Sequence, residues 1–127
     1  KMETSLPGVY AVGDCVKGYS QLAHTASAIG IEHTVGKFPM AGNGKALILN
    51  GGEGVVKILA DKNNRVLGMH IIGPRATDLI AEGALSIEAG LSVDTLIATI
   101  HSYPTVTEAM REAALSIQHR AIHIVNR

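Results

Sequence analysis

Residues 54–73 read GVVKILADKNNRVLGMHIIG, two runs rich in β-branched side chains on either side of a short polar stretch. Branching at Cβ suits a pleated, half-buried surface, so 54–60 (GVVKILA) and 66–73 (VLGMHIIG) favour extended backbone. Between them, Asp61, Asn63 and Asn64 carry short polar side chains that bond back to the main chain and so favour a turn. The stretch predicts a β-hairpin. Immediately after it, Leu79, Ile80, Ala84, Leu85 and Ile87 recur at helical spacing, and Gly90 supplies a stop, which predicts a long amphipathic helix over 76–90. Strands that give way to helices, without strand–helix alternation in the second half, predict an α+β fold: an antiparallel sheet with helices on one face.

Further along, Ser92 is placed to cap a short helix through Leu96, Ile97 and Ile100. HSYPT (101–105) then breaks it, because the residue before Pro104 is pushed out of α geometry. Thr105 and Glu108 have the spacing of a capping box at the front of a last helix running to about His119, with Ala109, Ala113, Leu115 and Ile117 available for packing. The tail AIHIVNR is expected to fray. Toward the amino end, 34–40 reads as a strand leading into FPM, and AGNGK (41–45) reads as a loop because of its two glycines and asparagine. PGVYAVGD (7–14) predicts a short buried strand opened by Pro7 and closed by Gly13, and SQLAHTASAIG (20–30) predicts a helix ended by Gly30.

A chain of 127 residues has the size of one main domain and can bury a core without staples. Its 46% hydrophobic and 17% charged content excludes a disordered tail, and no apolar run is long enough to span a bilayer as a helix. Eleven Lys and Arg balance eleven Asp and Glu, so there is no electrostatic pull toward nucleic acid or an anionic membrane, and small molecules or proteins are the expected partners. Cys15 stands alone: neither an intrachain disulfide nor a multi-cysteine metal cage can form, and a reducing cytoplasm is the expected setting. Cys15 itself reads as a small buried apolar residue. His24, His33, His70, His119 and His123 are scattered without metal-ligand spacing, so no metal site is expected. Because the chain opens on Lys1, with no signal-peptide pattern ahead of the first element, it reads as a piece of something longer.

Three separated blocks in order, VGKFPMAGNGKAL (35–47), GVVKILADKNNRVLGMHIIGP (54–74) and HSYPTVTEAMREAAL (101–115), resemble the carboxy-terminal interface domain of the dihydrolipoamide dehydrogenases, within the flavin disulfide oxidoreductases. The opening TSLPGVYAVGDC (4–15) resembles that family's second flavin segment. The resemblance covers nearly the whole chain to about Ile117. It implies that Gly13, Asp14, Gln21, Leu22, Ala23 and His24 contact FAD in a full-length parent, with Asp14 toward the ribityl chain. It also implies NAD as the electron acceptor, a homodimer, and lipoyl groups of 2-oxo acid dehydrogenase complexes as electron donors. On this reading residues 1–32 are a remnant of an FAD-binding domain and 33–127 the interface domain, whose FAD- and NAD-binding partner domains lie elsewhere in the parent.

This sequence departs from the family pattern in several places. The amino-terminal dinucleotide fingerprint is absent: Gly42 and Gly44 give GxG, but Leu47 stands where a third glycine would be needed. The redox-active cysteine pair is absent too, so no disulfide cycle runs within this chain, which alone is expected to be inactive and not to hold FAD. AIGIEH (28–33) joins two places that family members keep some tens of residues apart, which points either to a fragment with a stretch closed up or to a shortened gene product.

The family's acid/base histidine, immediately before the proline and five residues ahead of a glutamate, is replaced here by Tyr103, while Glu108 matches the glutamate and His101 lies two residues earlier. An imidazole titrates near ~6.5 and a phenol near ~10, so a phenol is the poorer base at neutral pH. Tyr103, Glu108 and His101 are thus the candidate catalytic residues. Mercuric reductase-like and soluble transhydrogenase-like relatives also carry tyrosine near this place. Structural roles stand beside these: Glu108 as a helix cap, Tyr103 as interface packing, Asp14 as a strand terminator. Three readings follow: part of a dihydrolipoyl dehydrogenase, the same domain of a tyrosine-bearing relative, or a dimerisation module without chemistry. The apolar faces at 76–90 and 107–117 are expected to form a two-fold interface, with ordinary core packing as the competing reading.

Overall fold

The computed structural model describes residues 30–126. Three strands, β1 (His33–Pro39), β2 (Val55–Asp61) and β3 (Val66–Ile72), form an antiparallel sheet in the order β1-β2-β3. The hairpin expected over 54–73 is β2–β3. Its turn is held by Asp61, whose Oδ1 accepts from the backbone N–H of Asn63 at 2.8 Å and of Arg65 at 2.9 Å, while Asn64 takes a left-handed φ of 60°. β1 pairs with β2 from His33 opposite Asp61 to Pro39 opposite Val55, so Gly36, Ile58 and Met69 form one row across the sheet.

Four helices complete the described unit: α1 (Gly44–Asn50), α2 (Ala76–Glu88), α3 (Val93–Ala98) and α4 (Glu108–Ile117). α4 lies on β1 and β2, α2 lies on β3, and α3 packs on α4. Both large helices therefore cover the face of the Gly36–Ile58–Met69 row, as the α+β reading expects. Phe38, Val56, Ile58, Leu96, Met110 and Ala113 are among the residues that fill the layer between sheet and helices.

Local signals explain most boundaries. α2 ends in a Schellman motif: Gly90 sits at φ +62°, its N–H bonds to Ile87 O, and the N–H of Leu91 bonds to Ser86 O at 2.8 Å. Ser92 caps α3 by accepting from the N–H of Thr95 at 3.2 Å. That helix stops at Ala98, short of Ile100, because Thr99 is already extended.

Two expectations are corrected. The AGNGK loop is instead a 3₁₀ turn, Met40–Gly42, followed by α1, which begins at Gly44. Asn43 starts that helix by accepting from the N–H of Ala46 at 2.8 Å, a cap strong enough to offset glycine at the first helical position. Nor does the apolar face of 107–117 form an outer surface. Ala109, Met110, Ala113, Ala114 and Leu115 are buried within the chain, and so is Glu112, whose Oε2 accepts from the backbone N–H groups of Ile122 and His123 and so fastens the tail that was expected to fray. Of the two faces, only that of α2 leaves large apolar residues, Leu85 and Ile87, exposed.

Candidate functional site

The segment from Thr99 to Thr107, between α3 and α4, carries all three candidate catalytic residues or their immediate neighbours, and the structure sends them in different directions. His101 turns inward. Its side chain is only 5% exposed, and Nε2 lies 2.9 Å from Oε1 of Glu82 on α2. Since an ionised carboxylate only accepts, Nε2 carries the hydrogen, and Nδ1 is left buried with no hydrogen-bond partner among the described residues. A side chain so enclosed is an anchor for the loop; it does not face outward.

Tyr103 does the opposite. It is 85% exposed, and no hydrogen bond to it is found among the described residues. The peptide bond between Tyr103 and Pro104 is cis. The residues on either side of it are held: Thr105 Oγ1 donates to Ser102 O at 2.6 Å, and the backbone N–H of Thr105 donates to Glu108 Oε2 at 3.0 Å. Asn43, itself 5% exposed, donates from Nδ2 to Thr105 O at 3.0 Å.

Glu108 stands at the first position of α4 and makes only half of a capping box. Its carboxylate accepts from Thr105, but the Thr105 hydroxyl is turned back to Ser102 and receives no helix N–H. No hydrogen bond joins Glu108 to Tyr103 among the described residues. The arrangement is a braced loop that presents one phenol outward, with an imidazole–carboxylate pair behind it and a second carboxylate closing the rear. A cavity of about 260 Å³ bordered by Ile97, His101, Glu108, Arg111 and His123 lies on one side, and one of about 370 Å³ bordered by Lys45, Leu79, Glu82 and Pro104 on the other.

The expected flavin contacts, Gly13, Asp14, Gln21, Leu22, Ala23 and His24, lie outside the described residues. Gly42 is in the 3₁₀ turn after β1 and Gly44 opens the seven-residue α1, with Leu47 inside that helix where the fingerprint has its third glycine. Among the described residues no group of three or more His, Cys, Asp and Glu is placed to hold a metal. Two contributors escaped the sequence reading. Asn43 was legible in principle, since an asparagine before GKALIL has the form of a cap; Glu82, mid-helix and 19 residues from its partner, leaves no local mark.

Residues 18–114 match the family described as pyridine nucleotide-disulphide oxidoreductase, dimerisation domain. A dihydrolipoyl dehydrogenase of Thermus scotoductus is 34% identical over 169 positions, covering 100% of this chain and 37% of that protein. That alignment is 42 positions longer than the 127-residue chain. A dihydrolipoamide dehydrogenase of Chaetomium thermophilum is 46% identical over 95 residues, 74% of this chain and 19% of that one. Among solved structures, LpdA of Mycobacterium tuberculosis superposes with a TM-score of 0.68 at 25% identity over 72% of this chain and 20% of that one. The HOCl-induced flavoprotein disulfide reductase RclA of Escherichia coli gives 0.66 at 26% identity over 70% of this chain and 21% of that one. The chain spans well under half the length of each of these proteins.

Proposed function

Because the chain belongs to the pyridine nucleotide-disulphide oxidoreductase dimerisation-domain family, we propose that it serves as the carboxy-terminal interface part of a dihydrolipoyl dehydrogenase-type flavoenzyme, inactive alone and working as a homodimer. On this reading residues 33–127 form the interface domain, and residues 1–32 belong to the flavin domain, whose missing remainder, with the NAD domain, holds FAD and NAD. The donors are dihydrolipoyl groups of 2-oxo acid dehydrogenase complexes, and the setting is the cytoplasm.

One observation carries this reading: an outward Tyr103 without a hydrogen bond of its own among the described residues, on a loop held at Ser102 and Thr105. A large ring held out in this way is suited to a site completed by another chain. The Tyr103 hydroxyl can donate a hydrogen bond or hold a proton at Oη next to a reacting sulfur, and the braced backbone orients it. The inward His101 supports the loop, which leaves Tyr103 as the group able to reach beyond the chain. Glu108, tied to Thr105 N–H, fixes the start of α4 and the rear of the loop.

In a full-length enzyme carrying this sequence, Tyr103→His should raise dihydrolipoyl oxidation near neutral pH by at least about tenfold, because a well-placed general base is worth roughly 10²–10⁴-fold and an imidazole suits that pH better than a phenol. Steady-state turnover at pH 7 is the measurement. No gain from Tyr103→His, together with loss of reduction of a different electron acceptor in Tyr103→Phe, would move the chain to a tyrosine-bearing relative. Indifference to both substitutions would leave a dimerisation module without chemistry.

A further inference from the structure

The bonds around the Tyr103 loop come from two places remote in sequence. Glu82, in the middle of α2, takes hold of the loop's first residues through His101. Asn43, at the start of α1, takes hold of its other end through Thr105 O. Between these points Ser102, Tyr103 and Pro104 make one hydrogen bond among the described residues, from the Thr105 hydroxyl to the carbonyl of Ser102. The phenol itself makes no hydrogen bond among the described residues and is 85% exposed, so its direction depends on where the main chain is held.

We propose that Asn43 and Glu82 are positioning residues for Tyr103, a paired clamp that fixes the loop from the two neighbouring helices. Its importance for a reaction rests on the reading above that Tyr103 is the working group. Asn43 does two jobs with two different atoms. Oδ1 accepts from the N–H of Ala46 and starts α1, while Nδ2 donates to Thr105 O. A helix cap needs only the first, and aspartate and serine cap about as well as asparagine. The second needs an amide: a carboxylate in the same place has no hydrogen to give and would set its charge against the Thr105 carbonyl oxygen. At the other end, Glu82 needs only an acceptor to hold His101 Nε2–H, so glutamine retains the bond and alanine does not.

These differences separate the clamp from general structural support. Backbone ¹⁵N relaxation on the 127-residue chain reads it directly. In the unsubstituted chain the Ser102 and Tyr103 amides should show order parameters near those of rigid backbone, about 0.85. In Asn43→Asp, and separately in Glu82→Ala, they should fall below about 0.6, the range of flexible backbone, while α1, α4 and the sheet keep their values. Glu82→Gln should stay at the unsubstituted level. Should burial of the carboxylate keep Asn43→Asp from folding, Asn43→Ser carries the same measurement, since a serine caps α1 but its hydroxyl is too short to replace the amide at Thr105. Unchanged loop amides in both Glu82→Ala and the folded Asn43 variant overturn the clamp, and so does loosening spread evenly over α1 and the sheet. A loosened loop together with a Tyr103→Phe enzyme of normal turnover leaves the clamp standing and removes the functional reading.

Discussion

Gly36→Val is expected to leave the chain unfolded. Gly36 lies on β1 directly beneath α4, and a Cβ added there would stand 2.1 Å from Ala113 O, 2.5 Å from Ile117 Cγ1 and 2.9 Å from Ser116 Oγ. The nearest of these is backbone, so a rotamer change cannot relieve it; the helix itself would have to lift. Lifting it would expose Met110, Ala113 and Ala114, all fully buried, and break the 2.8 Å bond from the N–H of Lys37 to Ser116 Oγ. Overpacking a rigid site costs about 1–3 kcal/mol before any helix moves, and displacing one of the two covering helices takes the total beyond ~4 kcal/mol. Against a domain stability of about 5–15 kcal/mol, most or all of the folded population is lost. Thermal melting followed by circular dichroism checks this; a melting temperature within a few degrees of the unsubstituted chain would mean that α4 is not seated on β1.

Ile58→Asp has the second large effect. Ile58 is completely buried in the middle strand, between Gly36 and Met69 in the row that faces the helices. A carboxylate there has no cation within the core cluster to pair with, and it either stays charged without water or takes up a proton and remains an unsatisfied polar group. Either outcome costs several kcal/mol in addition to the lost apolar contacts. Val56, two residues earlier and also completely buried, should behave in the same way. Chemical denaturation should find both variants unfolded or close to it without denaturant, and stable folding of both would remove β2 from the core.

What could be read from the sequence was what local chemistry decides. The β2–β3 hairpin follows from β-branched runs around Asp61 and Asn64, α2 from its apolar period and Gly90, and the start of α3 from Ser92, and all three need only neighbours within a few residues. α1 was missed because Gly42 and Gly44 signal a loop more loudly than Asn43 signals a cap. The fate of the 107–117 face was misjudged for a different reason: whether α4 is core or surface depends on how closely β1 admits it, and that is set by the missing side chain at Gly36, some 80 positions away. In the site, Tyr103 and Glu108 were legible through HSYPTVTE. The inward turn of His101 was not, because its cause is Glu82 on another helix. The clamp through Asn43 was hidden for the same reason, being a contact between residues 62 apart.

On the reading proposed above, this chain is an interface part that pairs with a second copy of itself. Leu85 on α2, Ile100 and Tyr103 are among the large exposed apolar side chains, with Ile100 at 95%, and the proposed homodimer would cover such residues. Sedimentation equilibrium of the 127-residue chain at high micromolar concentration tests this most directly. A homodimer gives a species of twice the chain mass; a monomer throughout that range rules the pairing out.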